Sequence, residues 1–160
     1  MIAIEPVPAY LECSRRNLKK EIDSGEVTIY PKGAWYKDDF LEMNVTSSFQ
    51  ASVSFVIRTE HDASIKLPLT IIDAMMHELD LERVDFIKMD IEGSERKPIN
   101  DTSWTIQRFE SRMSISMYHL QDDPKALPQI ILSIPPDYRQ ECDSCVPEGI
   151  RIVPQVYFYF

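Results

Sequence analysis

The feature that most constrains this 160-residue chain is its alternation of short apolar segments with amphipathic ones. Apolar runs predict strands at Ile2–Glu5, Val84–Met89 and Met113–Met117, with Val84–Met89 as a central strand. Between such runs, apolar residues at helical spacing predict helices, for example over Pro8–Ile22. Near-continuous apolar strands that alternate with helices favour an α/β fold with a mostly parallel sheet.

The remaining elements follow from turn residues and periodicity. Further strands are predicted at Val27–Tyr30, Phe40–Val45 and Ile65–Thr70, an exposed strand or hairpin within Thr46–Glu60, and a C-terminal antiparallel hairpin of Tyr138–Cys142 and Ile152–Phe160. One helix is predicted to start at a capping box of Thr70 and Asp73, and another where Asp123 caps and Pro124 fills the first turn. Pro98 and Asp101 should divide the helical region before Phe109 into two short helices.

Composition limits the classes of partner. The length suits one compact domain, and the formal net charge of −9 would repel phosphate backbones and anionic membrane surfaces. No apolar run approaches the length of a membrane span, and the first residues do not resemble a signal peptide. We therefore expect no nucleic-acid partner, no transmembrane segment and a cytoplasmic location.

The chain has three cysteines, Cys13, Cys142 and Cys145. An odd number without a secretory signal suggests free thiols in a reducing compartment. Cys142 and Cys145 form a CxxC pair, but zinc needs about four ligands and the chain offers no second pair. The pair is therefore predicted to be structural, and no metal site is predicted from it.

Acidic or polar residues stand where several of the predicted strands end. Glu5 ends the first strand, Asp90 and Glu92 follow Val84–Met89, and His119 follows the next strand. Ligands of parallel α/β sheets bind beyond the carboxyl ends of the strands, so these side chains are candidates for one functional site.

Several motifs, in order along the chain, resemble those of FkbM-type methyltransferases. Residues 84–95 are similar to the family pattern VDxIKxDxEGxE, and Lys32–Trp35 to its KGxW turn. Residues 3–6, 70–73, 114–119 and 122–128 resemble further family segments. The resemblance implies a Rossmann-like methyltransferase fold, a three-layer sandwich forming a single, partial domain over residues 1–160. It also implies S-adenosylmethionine as cofactor and methyl transfer to a hydroxyl of a sugar, lipid or secondary metabolite.

The resemblance gives a role to five residues in cofactor binding: Glu5, Pro6, Gly33, Ala34 and Trp35. A carboxylate at the end of a strand can accept two hydrogen bonds from a ribose diol, as Glu5 would. Small residues such as Gly33 and Ala34 let an adenine approach the backbone. The structural alternatives are that Glu5 is a solvated acid at the end of a strand and that Trp35 is a core side chain.

Asp90, Glu92 and His119 are the candidate catalytic residues. Carboxylates would stabilise the sulfonium charge of the methyl donor, and His119 could accept the proton of the acceptor. The alternatives are an acidic helix start for the carboxylates and a structural imidazole for His119. The three could also bind a metal, but no metal site is predicted.

Methyltransferases of this fold begin with a strand and a glycine-rich turn of the type (D/E)xGxxxG. The four glycines of this chain, Gly25, Gly33, Gly93 and Gly149, form no such turn. The sequence is therefore expected to be N-terminally truncated. A non-catalytic fragment or interaction module is the main alternative, and another nucleotide-binding Rossmann-like enzyme is less favoured because no phosphate-binding loop is present.

Overall fold

The computed structural model describes residues 1–45, 63–134, 137–148 and 151–160. These residues form two compact units: unit 1 contains residues 1–45 and 63–71, and unit 2 contains the described residues from 72 onward. The strand or hairpin expected within Thr46–Glu60 lies outside the described residues. A single domain over residues 1–160 stays a prediction.

Unit 1 begins with a parallel strand pair and two short helices. Strand β1 (Ile2–Ile4) pairs in parallel with β2 (Thr28–Tyr30), and the helices α1 (Pro8–Asn17) and α2 (Lys19–Asp23) connect them. Pro8 lies in the first turn of α1, where its missing N–H costs nothing. The predicted continuous helix is wrong at Leu18, whose backbone leaves the helical conformation and divides the segment in two.

A second small sheet of unit 1 is built around β5. The short strand β3 (Gly33–Ala34) pairs in parallel with β5 (Ala63–Thr70), and β4 (Asp39–Val45) pairs antiparallel with it. Lys32–Trp35 resembles a turn of the family, yet Gly33 and Ala34 within it pair with Leu69 and Thr70 as a short strand. The side chain of Thr70 donates a 2.6 Å hydrogen bond to Asp38.

Unit 2 contains four helices and a four-stranded sheet. The helices are α3 (Ile72–Glu78), α4 (Arg96–Asp101), α5 (Ser103–Phe109) and α6 (Asp123–Ile131); the strands are β6 (Phe86–Met89), β7 (Arg112–Ser116), β8 (Gln140–Glu148) and β9 (Arg151–Tyr159). The break between α4 and α5 at Thr102 confirms the predicted pair of short helices. Within the described part of the chain, no helix is long and apolar enough to cross a membrane.

At the starts of α3 and α6, the aspartates that were predicted to cap these helices make other hydrogen bonds. Asp73, at the start of α3, accepts hydrogen bonds from the backbone N–H of Thr105, at 3.2 Å, and from its hydroxyl, so it satisfies the first turn of α5. Asp122 holds the cap position of α6 without a side-chain cap, and Asp123 is already helical. Asp123 therefore does not cap α6 as predicted.

The strand order of the sheet in unit 2 is β6-β7-β9-β8. Strands β6 and β7 are parallel, whereas β9 is antiparallel to both β7 and β8. The antiparallel C-terminal hairpin is confirmed, but the sheets of the chain are mixed rather than mostly parallel, since antiparallel pairs also hold β4 on β5. Among the described residues β6 has β7 as its one sheet neighbour, so it lies at an edge and is not the predicted central strand.

The core of unit 2 lies between this sheet and its helices. Ile115 on β7, Tyr159 on β9 and Leu127 and Ile131 on α6 are fully buried. Leu127 and Ile131 therefore form the apolar buried face of α6. This packing fixes the carboxyl ends of β6 and β7, where the candidate catalytic residues lie.

The cysteine prediction is wrong for the pair on β8. Cys142 and Cys145 are joined by a disulfide, and their Cα atoms lie 6.3 Å apart, within the range that a disulfide spans. The exposed Cys13 is a free thiol.

Candidate active site

The turn after β6 has an unusual backbone. Glu92 and Gly93 both have positive φ, 58° and 88° respectively. Such a conformation is strained for glutamate and natural for glycine, and it reverses the chain within two residues. A Cβ on Gly93 would lie 3.4 Å from atoms of His119 and Leu120, so the turn packs closely against the segment that follows β7.

The parallel pairing of β6 and β7 brings their carboxyl ends to the same edge of the sheet. Asp90 follows β6 and His119 follows β7, and His119 Nε2 lies 3.4 Å from Asp90 Oδ1. The same nitrogen lies 3.4 Å from Glu92 Oε2. The structure therefore brings the three predicted catalytic residues together.

A third carboxylate, that of Glu95, completes the cluster. Glu95 Oε1 lies 3.2 Å from His119 Nδ1 and accepts a 2.9 Å hydrogen bond from the backbone N–H of Ile91. The Glu95 side chain is only 1% exposed, and that of His119 is 8% exposed. An acidic side chain this deeply buried is rare unless a cation or hydrogen bonds compensate its charge.

Several polar atoms of the cluster are buried without a hydrogen-bond partner in the described structure. These atoms are both ring nitrogens of His119 and Oε2 of Glu95. Lys88 Nζ approaches Asp90 to 3.6 Å, but its side chain is two-thirds exposed. Buried polar atoms without partners cost free energy, so they mark a place where a ligand or ion would be stabilised.

Tyr118 adds a hydroxyl at the rim of the cluster. It donates to the two carboxylate oxygens of Asp90 at 3.2 and 3.4 Å, and its ring centroid lies 4.2 Å from that of His119. Burial, followed by the negative charges of Asp90 and Glu92, raises the pKa of Tyr118. The phenol therefore stays protonated and keeps donating to Asp90.

Arg96 holds the two segments of the cluster together. It lies at the start of α4, next to Glu95, and bonds Asp123 Oδ1 through Nε at 2.9 Å and Nη2 at 2.7 Å. Asp123 Oδ2 accepts a 2.8 Å hydrogen bond from the N–H of Leu120, the residue after His119. The Arg96–Asp123 pair thus ties the position of Glu95 to that of His119.

The predicted cofactor-binding residues lie in unit 1. Glu5 follows β1, is half-buried, and accepts a 2.7 Å hydrogen bond from the N–H of Val7 through Oε1. Burial raises the pKa of Glu5, and the hydrogen bond from Val7 partly opposes this. The role of Glu5 in binding a ribose stays a prediction.

Gly33 and Ala34 are both buried, and Gly33 is packed closely. A Cβ on Gly33 would meet the Leu69 side chain at 2.8 Å and Pro6 at 3.3 Å, so Leu69 would have to shift to admit a larger residue. The structure thus brings Pro6 beside Gly33. The backbone N–H of Trp35 donates a 2.8 Å hydrogen bond to the backbone carbonyl of Thr70, and the Trp35 ring centroid lies 5.3 Å from that of Tyr36.

A comparison of the sequence with protein families shows the family to which the chain belongs. Residues 1–143 match the family described as Methyltransferase FkbM domain. The chain belongs to the FkbM methyltransferase domain family. None of the curated proteins matches it.

One solved structure similar to this FkbM domain is the crystal structure of methyltransferase FkbM from Methylobacillus flagellatus KT. The identity is 23% and the TM-score 0.72, over 99% of this chain. The likeness confirms a mixed α/β fold of that type. The chain spans 36% of the length of that protein.

Sequence reasoning missed three residues of the site, Glu95, Arg96 and Tyr118. Glu95 could have been found, because it is the last residue of the EGxE pattern and faces the same turn as Glu92. Arg96 and Tyr118 have no comparable signal, since their partners are 27 and 28 residues away along the chain.

Proposed function

We propose that this FkbM domain takes part in S-adenosylmethionine-dependent methyl transfer to a hydroxyl of a sugar, lipid or secondary-metabolite acceptor. The observation that carries the proposal is the cluster of Asp90, Glu92 and His119 at the ends of two parallel strands, in a chain of a methyltransferase family.

The donor set suits this chemistry. S-adenosylmethionine supplies a methyl group on a sulfonium cation, and the carboxylates of Asp90 and Glu92, each about one-third exposed, offer negative charge to it. In unit 1, Glu5 would hold the ribose hydroxyls, with Pro6, Gly33, Ala34 and Trp35 beside the adenine.

His119 would accept the proton of the acceptor. The O–H bond of the acceptor would break as its proton moves to an imidazole nitrogen, and the oxygen would form the new bond to the methyl carbon. The bond between that carbon and the sulfonium sulfur would break at the same time, and its electron pair would stay on the sulfur of S-adenosylhomocysteine. An imidazolium formed there lies 3.2 to 3.4 Å from three carboxylates, which stabilise its positive charge. Tyr118 keeps Asp90 oriented through its hydroxyl.

The proposal is tested by replacing His119 with alanine and measuring release of S-adenosylhomocysteine with a panel of hydroxylated acceptors. Turnover should fall about a hundredfold or more, the usual contribution of a general base, while cofactor affinity changes little. His77 is the matched control, because it is exposed on α3 against Trp104 and its replacement should leave turnover unchanged. Unchanged turnover in His119→Ala would remove the general-base role.

A non-catalytic interaction module is the second candidate. It is favoured by the lack of a glycine-rich turn among the four glycines of the chain. A folded chain that binds no S-adenosylhomocysteine and no acceptor would support it.

A further inference from the structure

We propose that Asp90, Glu95 and His119 form a site for a divalent cation. One carboxylate oxygen from each acid and one ring nitrogen of His119 lie within 4.8 Å of one another, which is close enough for a single ion to contact all three. The proposal deepens the proposed function by adding an ion to the same cluster, but the site itself rests on geometry and burial alone.

The buried, unpartnered atoms point to a ligand. The side chain of His119 is more than nine-tenths buried, and both of its ring nitrogens lack a hydrogen-bond partner among the described residues. Glu95 Oε2 is buried and equally unsatisfied, although Oε1 is held by Ile91. Native interiors satisfy such atoms with protein groups, water or an ion, and the lone pairs here belong to metal-ligand groups.

The charge of the cluster favours a cation over water. Asp90, Glu92 and Glu95 bring three negative charges within 3.4 Å of one imidazole. Even an imidazolium together with the ammonium of Lys88 would leave one negative charge uncompensated beside a fully buried glutamate. A divalent cation removes this excess, because burying an unpaired charge costs several kcal/mol.

The donors indicate which cations fit. Carboxylate oxygens suit Mg²⁺, Ca²⁺ and Mn²⁺, whereas imidazole suits the transition metals. Mn²⁺ accepts both, so it is the ion of choice for this site. A bound cation would occupy the lone pair of one His119 nitrogen and would itself polarise the acceptor hydroxyl, the task that the proposed function gives to the free imidazole. His119→Ala should therefore lower turnover in either case.

Hydrogen bonds within the protein already orient the three proposed metal ligands. Ile91 N–H holds one oxygen of Glu95, Tyr118 holds Asp90, and the Arg96–Asp123 pair fixes the segments that carry Glu95 and His119. Such outer contacts orient metal ligands in proteins. They mean that binding an ion here requires little rearrangement.

The test is a titration of the chelator-treated chain with MnCl₂, following free Mn²⁺ by electron paramagnetic resonance. We expect one saturable site per chain, and at least about a tenfold loss of affinity in Glu95→Gln and in His119→Gln. Asp85→Asn is the matched control, because Asp85 is an exposed acid before the other end of β6, paired with Arg83, and should leave the affinity unchanged.

Circular dichroism establishes that each variant is folded. Should Glu95→Gln fail to fold, Asp90→Asn keeps the test decisive, because Asp90 is one-third exposed and its loss should weaken binding by a similar factor. A folded chain that does not saturate with Mn²⁺, or one whose affinity is the same in the ligand variants and in Asp85→Asn, overturns the cation site. Methyl transfer that persists with chelator while Mn²⁺ does not bind would overturn the cation site and leave the proposed function intact.

Discussion

Replacing Asp123 by asparagine should destabilise unit 2, because this buried carboxylate pairs with Arg96. The Asp123 side chain is 1% exposed and accepts two hydrogen bonds from the Arg96 guanidinium and one from the Leu120 N–H. Asparagine keeps the shape and one acceptor oxygen but removes the charge.

The magnitude follows from these contacts. Breaking a fully buried ion pair costs about 3–5 kcal/mol, because the remaining charge is left uncompensated. Arg96, however, is 31% exposed and also bonds Asp122, so part of its charge stays paired. We therefore expect the free energy of unfolding to fall by about 2–3 kcal/mol, the contribution of hydrogen bonds to charged groups.

Urea denaturation followed by circular dichroism measures this change. The midpoint should fall while the slope with denaturant stays the same, which indicates a change in stability without a change in the surface exposed on unfolding. Asp122→Asn is the matched control: Asp122 bonds the same arginine, but its side chain is 67% exposed, so water screens the pair and the loss should be much smaller. Equal losses in the two variants would refute the reasoning that burial of Asp123 decides its contribution.

Three further predictions concern the site and its turn. Gly93→Ala should lower the free energy of unfolding by about 1 kcal/mol, because an L-residue is strained at positive φ. Gly25→Ala is the control: Gly25 also has positive φ but open space around it, so any larger loss in Gly93→Ala measures the contacts with His119 and Leu120. S-adenosylhomocysteine affinity should decline as the pH falls towards the raised pKa of Glu5, above its ordinary 4.5, because ribose binding needs the ionised carboxylate; Glu5→Gln should abolish this dependence. His119→Ala should reduce turnover about a hundredfold, with calorimetry showing unchanged cofactor affinity.

The elements of the fold could be predicted from local patterns. The division of the helical region before Phe109 into two short helices depends on residues close together in sequence, and it is confirmed, with the break at Thr102. The break at Leu18 could not be predicted, because its neighbours have helical periodicity and tertiary packing decides the backbone there. The mostly parallel sheet was predicted wrongly. The direction of a strand depends on which strand, often distant in sequence, it pairs with.

The candidate site was predictable where it follows from strand ends. Asp90 and His119 stand directly after β6 and β7, and the parallel pairing of those strands brings them within 3.4 Å. The burial of Glu95 and the clamp of Arg96 on Asp123 depend on side-chain contacts across the fold, which no short sequence pattern encodes. The roles of the five residues predicted to bind the cofactor stay predictions.

The most direct test of the proposed function is calorimetric titration of the purified 160-residue chain with S-adenosylhomocysteine, after circular dichroism confirms that it is folded. The proposal predicts saturable binding of one molecule per chain, at a dissociation constant of about micromolar, weakened in Glu5→Ala. A folded chain that takes up no S-adenosylhomocysteine would contradict the proposal and favour the non-catalytic module.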